Sequence, residues 1–395
     1  MGGLIVLQLS DTQKAIVETV REFVNKEVVP VADELEHNDV FPDAIVEQMK
    51  ELGLFGLTVP EEYGGVGESL ITYALAVVEL ARGWMSLSGV LNTHFMGCYL
   101  INKFGTDEQR TKFLPKMATG EWRAALAMSE PEAGSDVQAI RTKAVADGDD
   151  YVVNGSKMWL TNGLRSSLVM TLVKTDLEVD PPHKGMSMLI VEKEGGVARP
   201  APGLDVGKNI EKMGYKGVET TEMTFNDWRC PQSSLLGSEE GQGFRQVLDA
   251  IEVGRVNVAA RAVGVATRAF EEAIRYSQER KAFGKAISQH QAVQIHLAEM
   301  ATTLEAAKLM LYSAAEKKAS GERSDLDAAM AKLFASEACH EICTKALRVH
   351  GGYGYSKEFT IERLYRDAPF LLIGEGTSEI QKTVIARRLL EKHKI

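Results

Sequence analysis

The chain has 395 residues, 45% hydrophobic and 25% charged, with a formal charge of −10 and four cysteines. That length predicts two or three substructures, and the composition is that of a soluble globular protein. The acidic balance argues against nucleic acid or an anionic membrane as the main partner, and four cysteines do not make a disulfide scaffold.

In chain order, the apolar run Leu4-Ile5-Val6-Leu7 is too short for a signal peptide or a membrane span. Met1-Gly2 lacks the Ser or Thr at position six of a myristoylation start, so a cytoplasmic protein is expected. From Ser10 to about Glu121 the pattern is helical. Ile16, Val20, Phe23, Val24 and Val28 recur at helical spacing ahead of Pro30, and a second helix covers about Pro42 to Leu52. The glycine-rich Tyr63–Gly67 precedes a longer apolar stretch, Leu70 to Ala81.

The texture changes from about Ala124 to Leu236. Tyr151–Val153, Met188–Val191 and Thr221–Phe225 read as strands, and Asn154-Gly155 and Asn162-Gly163 as hairpin-type turns. Pro181-Pro182 and Arg199–Gly203 mark loops. After Gly243 long helices return, the first through Phe244, Val247, Leu248 and Ile251, later ones over about 289–320 and 326–349. The order is α+β: a helical domain at 1–123, a β-domain at 124–237 and a second helical domain at 238–395.

Several motifs fail. Gly203–Asn209 is one residue short of a P-loop, and Gly351–Gly354 has no strand–helix context. Cys339 and Cys343 lie one helical turn apart beside His340, but no second ligand pair accompanies them, so no metal is expected. Two segments remain. Ala127–Asp136 is a loop of small and hydroxyl residues that offers donors to a polar ring edge. Lys157–Asn162 presents Trp159 as either a stacking plane or a core aromatic.

Glu375 stands between Gly374 and Gly376, and Thr377 and Ser378 can cap a helix running through Ile380, Val384, Ile385 and Leu389. A carboxylate on such a turn suits proton abstraction if its surroundings are dry, and equally suits a solvated first-turn acid favoured by the helix dipole.

With these segments in view, the chain resembles the acyl-CoA dehydrogenase family over nearly its whole length. Ala127–Asp136 matches one signature, Arg348–Tyr355 through Asp367 a second, and Tyr276–Gly284 a third. The resemblance implies an N-terminal helical domain, a central β-domain and a C-terminal four-helix bundle. It implies FAD, an acyl-CoA substrate, a homotetramer built as a dimer of dimers, and an electron-transferring flavoprotein as acceptor. Ser129, Trp159 and Thr161, with Leu126 and Met128, would face the flavin ring, and Thr377 and Glu379 its nucleotide half. Arg280, Ala282, Phe283, His290, Gln291, Arg348, Gly351 and Gly352 would serve the FAD of a neighbouring subunit. Ser135 and Arg255 would line the CoA channel, and Glu252, Gly374, Gly376 and Arg387 would complete the substrate contacts. Two positions depart from the family pattern: Arg348 replaces a usual glutamine, and Ala282 lacks a hydroxyl that some members carry.

The family places its base at the Glu375 turn or on a helix just before Arg255. The second position is Gly254, and Glu252 lies roughly 200° round the helix from it, so the resemblance and elimination together point to Glu375. Glu375 would remove the α-proton while the β-carbon delivers hydride to flavin N5, forming a trans-2-enoyl-CoA. Gly374, where straight-chain members often have tyrosine, leaves space for a branched acyl group unless Phe370 or His94 fills it. Met85 stands where glutaryl-type members place an arginine, with Arg82 nearby, so the resemblance argues against a dicarboxylyl substrate; a short or medium acyl chain, straight or branched, is expected. An acyl-CoA oxidase, a flavin monooxygenase of the same fold and a flavin-free CoA-binding scaffold are the other readings.

Overall fold

The computed structural model describes residues 9–394, so Met1-Gly2 and Leu4–Leu7, with the expectations drawn from them, lie outside the described residues. Ser10 opens the first helix with a capping box, its hydroxyl accepting from Gln13 N while the Gln13 side chain returns to Ser10 N. Six helices follow in order: α1 (Asp11–Phe23), α2 (Ala32–His37), α3 (Asp43–Glu51), α4 (Leu70–Gly83), α5 (Met85–Phe104) and α6 (Asp107–Ala118). α4 and α5 are buried along almost their full lengths, as their near-continuous apolar sequences require.

The middle of the chain forms a seven-stranded sheet: β1 (Ala124–Ala127), β2 (Lys143–Asp147), β3 (Asp150–Thr161), β4 (Leu168–Lys174), β5 (Met186–Glu192), β6 (Leu204–Val206) and β7 (Thr220–Pro231). The spatial order is β1-β4-β2-β3-β7-β6, with β5 added alongside β4. The pairings are antiparallel except β1 with β4 and the single contact of β2 with β4. One face packs into the large helical core and the other closes over a smaller core containing Tyr151, Val153, Leu160, Val191 and Phe225.

Two turn assignments need correction. Asn154-Gly155 is not a hairpin turn but lies inside β3, where the register against β7 shifts between Val153 and Gly155. A Cβ on Gly155 would meet Thr142 at 2.5 Å, so the glycine serves close strand approach. Asn162-Gly163 does end β3 in a turn, but β3 and β4 are not partners, because β4 pairs with β1, β5 and, at one position, β2.

The C-terminal part contains α7 (Gly243–Glu279), a small hairpin of β8 (Lys281–Ala282) and β9 (Lys285–Ala286), α8 (Gln291–Ala319), α9 (Asp325–His350), α10 (Thr360–Ile373) and α11 (Ser378–Lys392). α7, α8, α9 and α10 pack together, and α11 lies against α9. α7 also packs on α4 and α5, which joins the two helical regions in one core. No helix among the described residues is long and apolar enough to cross a membrane.

Candidate active site

α10 ends where Gly374 turns extended, and α11 begins at the Thr377 cap, whose hydroxyl accepts from Ile380 N at 3.3 Å. Glu375 sits between them with φ 55°, a left-handed conformation that costs a non-glycine residue energy. Three contacts hold it there. Gln381 Nε2 donates to the carbonyls of Gly376 (3.0 Å) and Glu375 (3.4 Å), and Lys332 Nζ donates to the Gly376 carbonyl at 2.8 Å. Lys332 comes from α9 and is fully buried, and burial pulls its pKa down to about 8.

The Glu375 carboxylate points inward. Asn92 of α5 donates to Oε1, while Oε2 is buried with no hydrogen-bond partner. On the opposite wall, a Cβ at Gly254 would lie 2.1 Å from Oε2. Burial raises the Glu375 pKa above the ordinary carboxylate value; Arg261, the Asn92 bond, Lys332 and Arg255 act against that rise. A raised pKa, a bare oxygen and a fixed orientation are what a general base requires. The solvated first-turn acid is thereby set aside.

The β-domain reaches this site through the end of β3. Asn162 Nδ2 donates to the carbonyls of Gly89 and Val90 and to Thr93 Oγ1, next to Asn92 on α5. Thr161, just before it, lies close to the Tyr215 hydroxyl. Trp159 is no core aromatic: its side chain is 59% exposed, at φ 67°, in a second register shift between Lys157 and Leu160. The Ser129 loop is tied to the same strand by Met158 N to Ser129 O at 2.9 Å. Buried Lys157 reaches Met128 O (3.2 Å) and Glu130 (2.8 Å), and Glu130 accepts from the backbone of Arg141 and Thr142. Leu126 and Met128 are half-buried beside this face, and Ser135 is exposed.

The remaining cofactor candidates lie elsewhere. Arg280 is 26 residues beyond Gly254, just past the end of α7, roughly 39 Å along a continuous helix axis. Around it gather the β8–β9 hairpin with Ala282 and Phe283, the latter 95% exposed, and His290, whose Nε2 lies 3.1 Å from the Ala282 carbonyl. Arg280 also stands over the Tyr353 ring at 5.4 Å and lines a groove of about 640 Å³ with Tyr276, His350, Gly351 and Gly352. Gln291 and Arg348 are exposed nearby on α8 and α9.

Of the substrate candidates, Arg255 is buried with Nε unpartnered, and burial lowers its pKa. Glu252 instead turns away, pairing with Lys318 at 3.2 Å and accepting from Ser324 at 2.5 Å. Arg387 is on the exposed face of α11, and Glu379 is exposed in its first turn. The space beside Gly374 is taken by Phe370, whose Cζ would lie 2.9 Å from a Cβ placed on that glycine, while His94 faces the Phe55 carbonyl. Cys339 and Cys343 are buried free thiols, and His340 turns towards Tyr365.

Asn92, Arg261, Lys332, Tyr215 and Gln381 were not singled out from sequence. For Arg261 and Lys332 a signal exists: each is a lone cation inside a run rich in alanine and other apolar residues, in Val256–Ala266 and Ala328–Ala335.

Three family models cover the chain: the N-terminal domain of acyl-CoA dehydrogenases at residues 10–121, the middle domain at 125–228 and the C-terminal domain at 241–390. An acyl-CoA dehydrogenase of Bacillus subtilis (strain 168) is 38% identical, covering 97% of this chain and 99% of its own. The caffeyl-CoA reductase-Etf complex subunit CarC of Acetobacterium woodii is also 38% identical, over 98% of this chain and 100% of its own. The solved butyryl-CoA dehydrogenase of Megasphaera elsdenii superimposes with a TM-score of 0.93 at 34% identity, over 98% of this chain and 100% of that one. The chain belongs to the acyl-CoA dehydrogenase family, flavin-dependent oxidoreductases acting on CH–CH bonds.

Proposed function

We propose that this enzyme converts an acyl-CoA thioester to the trans-2-enoyl-CoA with Glu375 as the α-proton base. The observation that carries this is the buried, unpartnered Oε2 of Glu375 facing the bare backbone of Gly254. Glu375 takes the α-proton on that oxygen while Asn92 holds the other. The thioester oxygen is polarised by the Glu375 backbone N–H, so base and oxyanion donor belong to one residue. Lys332 and Gln381 keep that residue in its left-handed turn.

The residues present fit FAD. An aromatic plane held out of the core in a strained bulge, next to the hydroxyl-bearing Ser129 and Thr161, suits a ring stacked at Trp159 and bonded along its polar edge. The chemistry such a flavin supplies is acceptance of the β-hydrogen as hydride. Thr377 and Glu379 would hold its nucleotide half, and Ser135 and Arg255 the CoA. The separation along α7 supports a second copy of the chain as the source of Arg280, Ala282, Phe283, His290, Gln291, Arg348, Gly351 and Gly352 around the same FAD, in a homotetramer. The Etf-complex relative supports an electron-transferring flavoprotein as acceptor.

The test is anaerobic titration of the purified yellow protein with a panel of acyl-CoAs. Bleaching of the oxidised flavin band by some of them is expected. A bound flavin that no acyl-CoA reduces would refute the reading.

A further inference from the structure

Arg261 is the feature of the site that the dehydrogenation itself does not use. Its residue is 1% exposed, and it forms no ion pair among the described residues. Nε donates to Asn257 Oδ1 at 2.6 Å and Nη1 to the Tyr215 hydroxyl at 3.3 Å, while Asn257 Nδ2 donates to the Tyr73 hydroxyl at 2.8 Å. Every one of these partners is neutral. A buried guanidinium without a directly paired carboxylate is costly, because the charge has left water and meets Glu375 only at longer range.

The direction of the side chain matters. Arg261 lies two turns beyond Gly254 on the same face of α7, about 10.5 Å along the axis. Side chains on a helix lean towards its N-terminus, and the bond to Asn257, four residues back, shows that this one does. The guanidinium therefore lies back towards Gly254, and of the surrounding cations Arg261 acts most strongly on the Glu375 carboxylate. Lys332 and Arg255 act on it as well, but Glu252 and Asp325 also face Arg255, and Glu337 and Glu379 also face Lys332, so Arg261 is the cation of the three with the fewest acidic neighbours. Asn92 Oδ1 and Glu375 Oε2 are both buried and unpartnered. The arginine near the end of the first helical region is committed elsewhere: Arg82 binds Glu79 at 2.9 Å and Asn25 at 2.6 Å.

We infer that Arg261 forms a carboxylate-binding subsite in the acyl pocket, so that the preferred acyl group carries a second, distal carboxylate. This rests on the acyl-CoA reading of the Glu375 site. The subsite would lie within about 10.5 Å of Gly254 along α7, the reach of a short acyl chain. The planar fork of the guanidinium would meet that carboxylate, and the ligand would supply the directly paired counter-charge the protein lacks. The dicarboxylyl substrate that the residues around Met85 argue against is thus readmitted through a different element.

The test compares glutaryl-CoA with pentanoyl-CoA, which has the same five-carbon chain without the terminal charge, using flavin-loaded enzyme. The expected result is a kcat/KM for glutaryl-CoA on the order of 100-fold above that for pentanoyl-CoA. Arg261→Gln should abolish the preference, lowering kcat/KM for glutaryl-CoA by on the order of 100-fold more than for pentanoyl-CoA. Arg261→Lys, which keeps the charge and loses the fork, should retain part of the preference. A wild-type preference for pentanoyl-CoA, or an equal loss for both substrates in a flavin-loaded Arg261 variant, would overturn the subsite and leave the dehydrogenase reading standing. Failure of every acyl-CoA to reduce the flavin would instead remove the reading beneath it.

Discussion

The missing side chain of Gly254 and the carboxylate of Glu375 occupy the same place: a Cβ on the glycine would lie 2.1 Å from Oε2. Gly254→Ala therefore pushes the base out of position. Alanine is normally worth about 1 kcal/mol over glycine inside a helix, so the fold should not suffer. A fall in kcat of roughly 10- to 100-fold is expected with thermal stability unchanged or higher. Steady-state turnover and a melting curve on the same preparation check both halves; unchanged kcat would mean that the carboxylate works from another position.

Glu375→Gln should retain flavin and ligand but lose turnover by about 10²–10⁴-fold. The same substitution should stabilise the protein at neutral pH. Burial raises the folded pKa of Glu375, so its stability contribution is complete below the unfolded value and is lost as pH rises through the folded one. The Tm of the glutamine variant should exceed that of the parent at pH 7, with the gap closing towards pH 4. A gap that widens in acid would reverse the sign of the shift.

Trp159→Ala removes an exposed ring that contributes little to the core. The Tm of flavin-free protein should barely change, while FAD affinity should weaken by about 5- to 10-fold, the equivalent of roughly 1 kcal/mol of stacking. Fluorescence titration with FAD measures this. A destabilised apoprotein with normal FAD affinity would assign the ring a packing role.

Asp367 is fully buried on α10, where it accepts from Tyr215 N at 2.6 Å and leaves Oδ2 unpartnered. Burial and neighbouring Glu36 push its pKa up to about 7. The folded state holds this proton more tightly than the unfolded one, so stability should fall as pH rises from about 4 to 7. Asp367→Asn keeps the Tyr215 bond and removes the titration. Its Tm should be higher than the parent's at pH 8 and similar at pH 4; a lower Tm at pH 8 would show that the ionised carboxylate stabilises the fold.

The alternation of helical and strand periodicity made the helical–β–helical order legible, because each region buries one face of regular elements. The Glu375 turn was legible because glycines and a capping threonine flank it, while its part as a base came from the family resemblance and not from those neighbours. What surrounds it was not. Asn92, Arg261 and Lys332 come from three helices and meet the Glu375 turn only through tertiary packing, and periodicity registers the apolar residues around them rather than their partners. Trp159 was ambiguous because a bulge, invisible to an alternation count, turns its ring outward. Asn154-Gly155 misled for a related reason: its glycine answers to close strand contact, not to a turn.

α7 is a single 37-residue helix with Gly254 and Arg261 in its first half and Arg280 just past its far end. Inserting or deleting one residue between Arg261 and Glu279 would rotate that far end by about 100° and move it by about 1.5 Å. Arg280 and its groove would then lose their alignment with the base, although neither had been altered. The helix is a shaft keyed at both ends, so its length should tolerate variation far less than its exposed composition does.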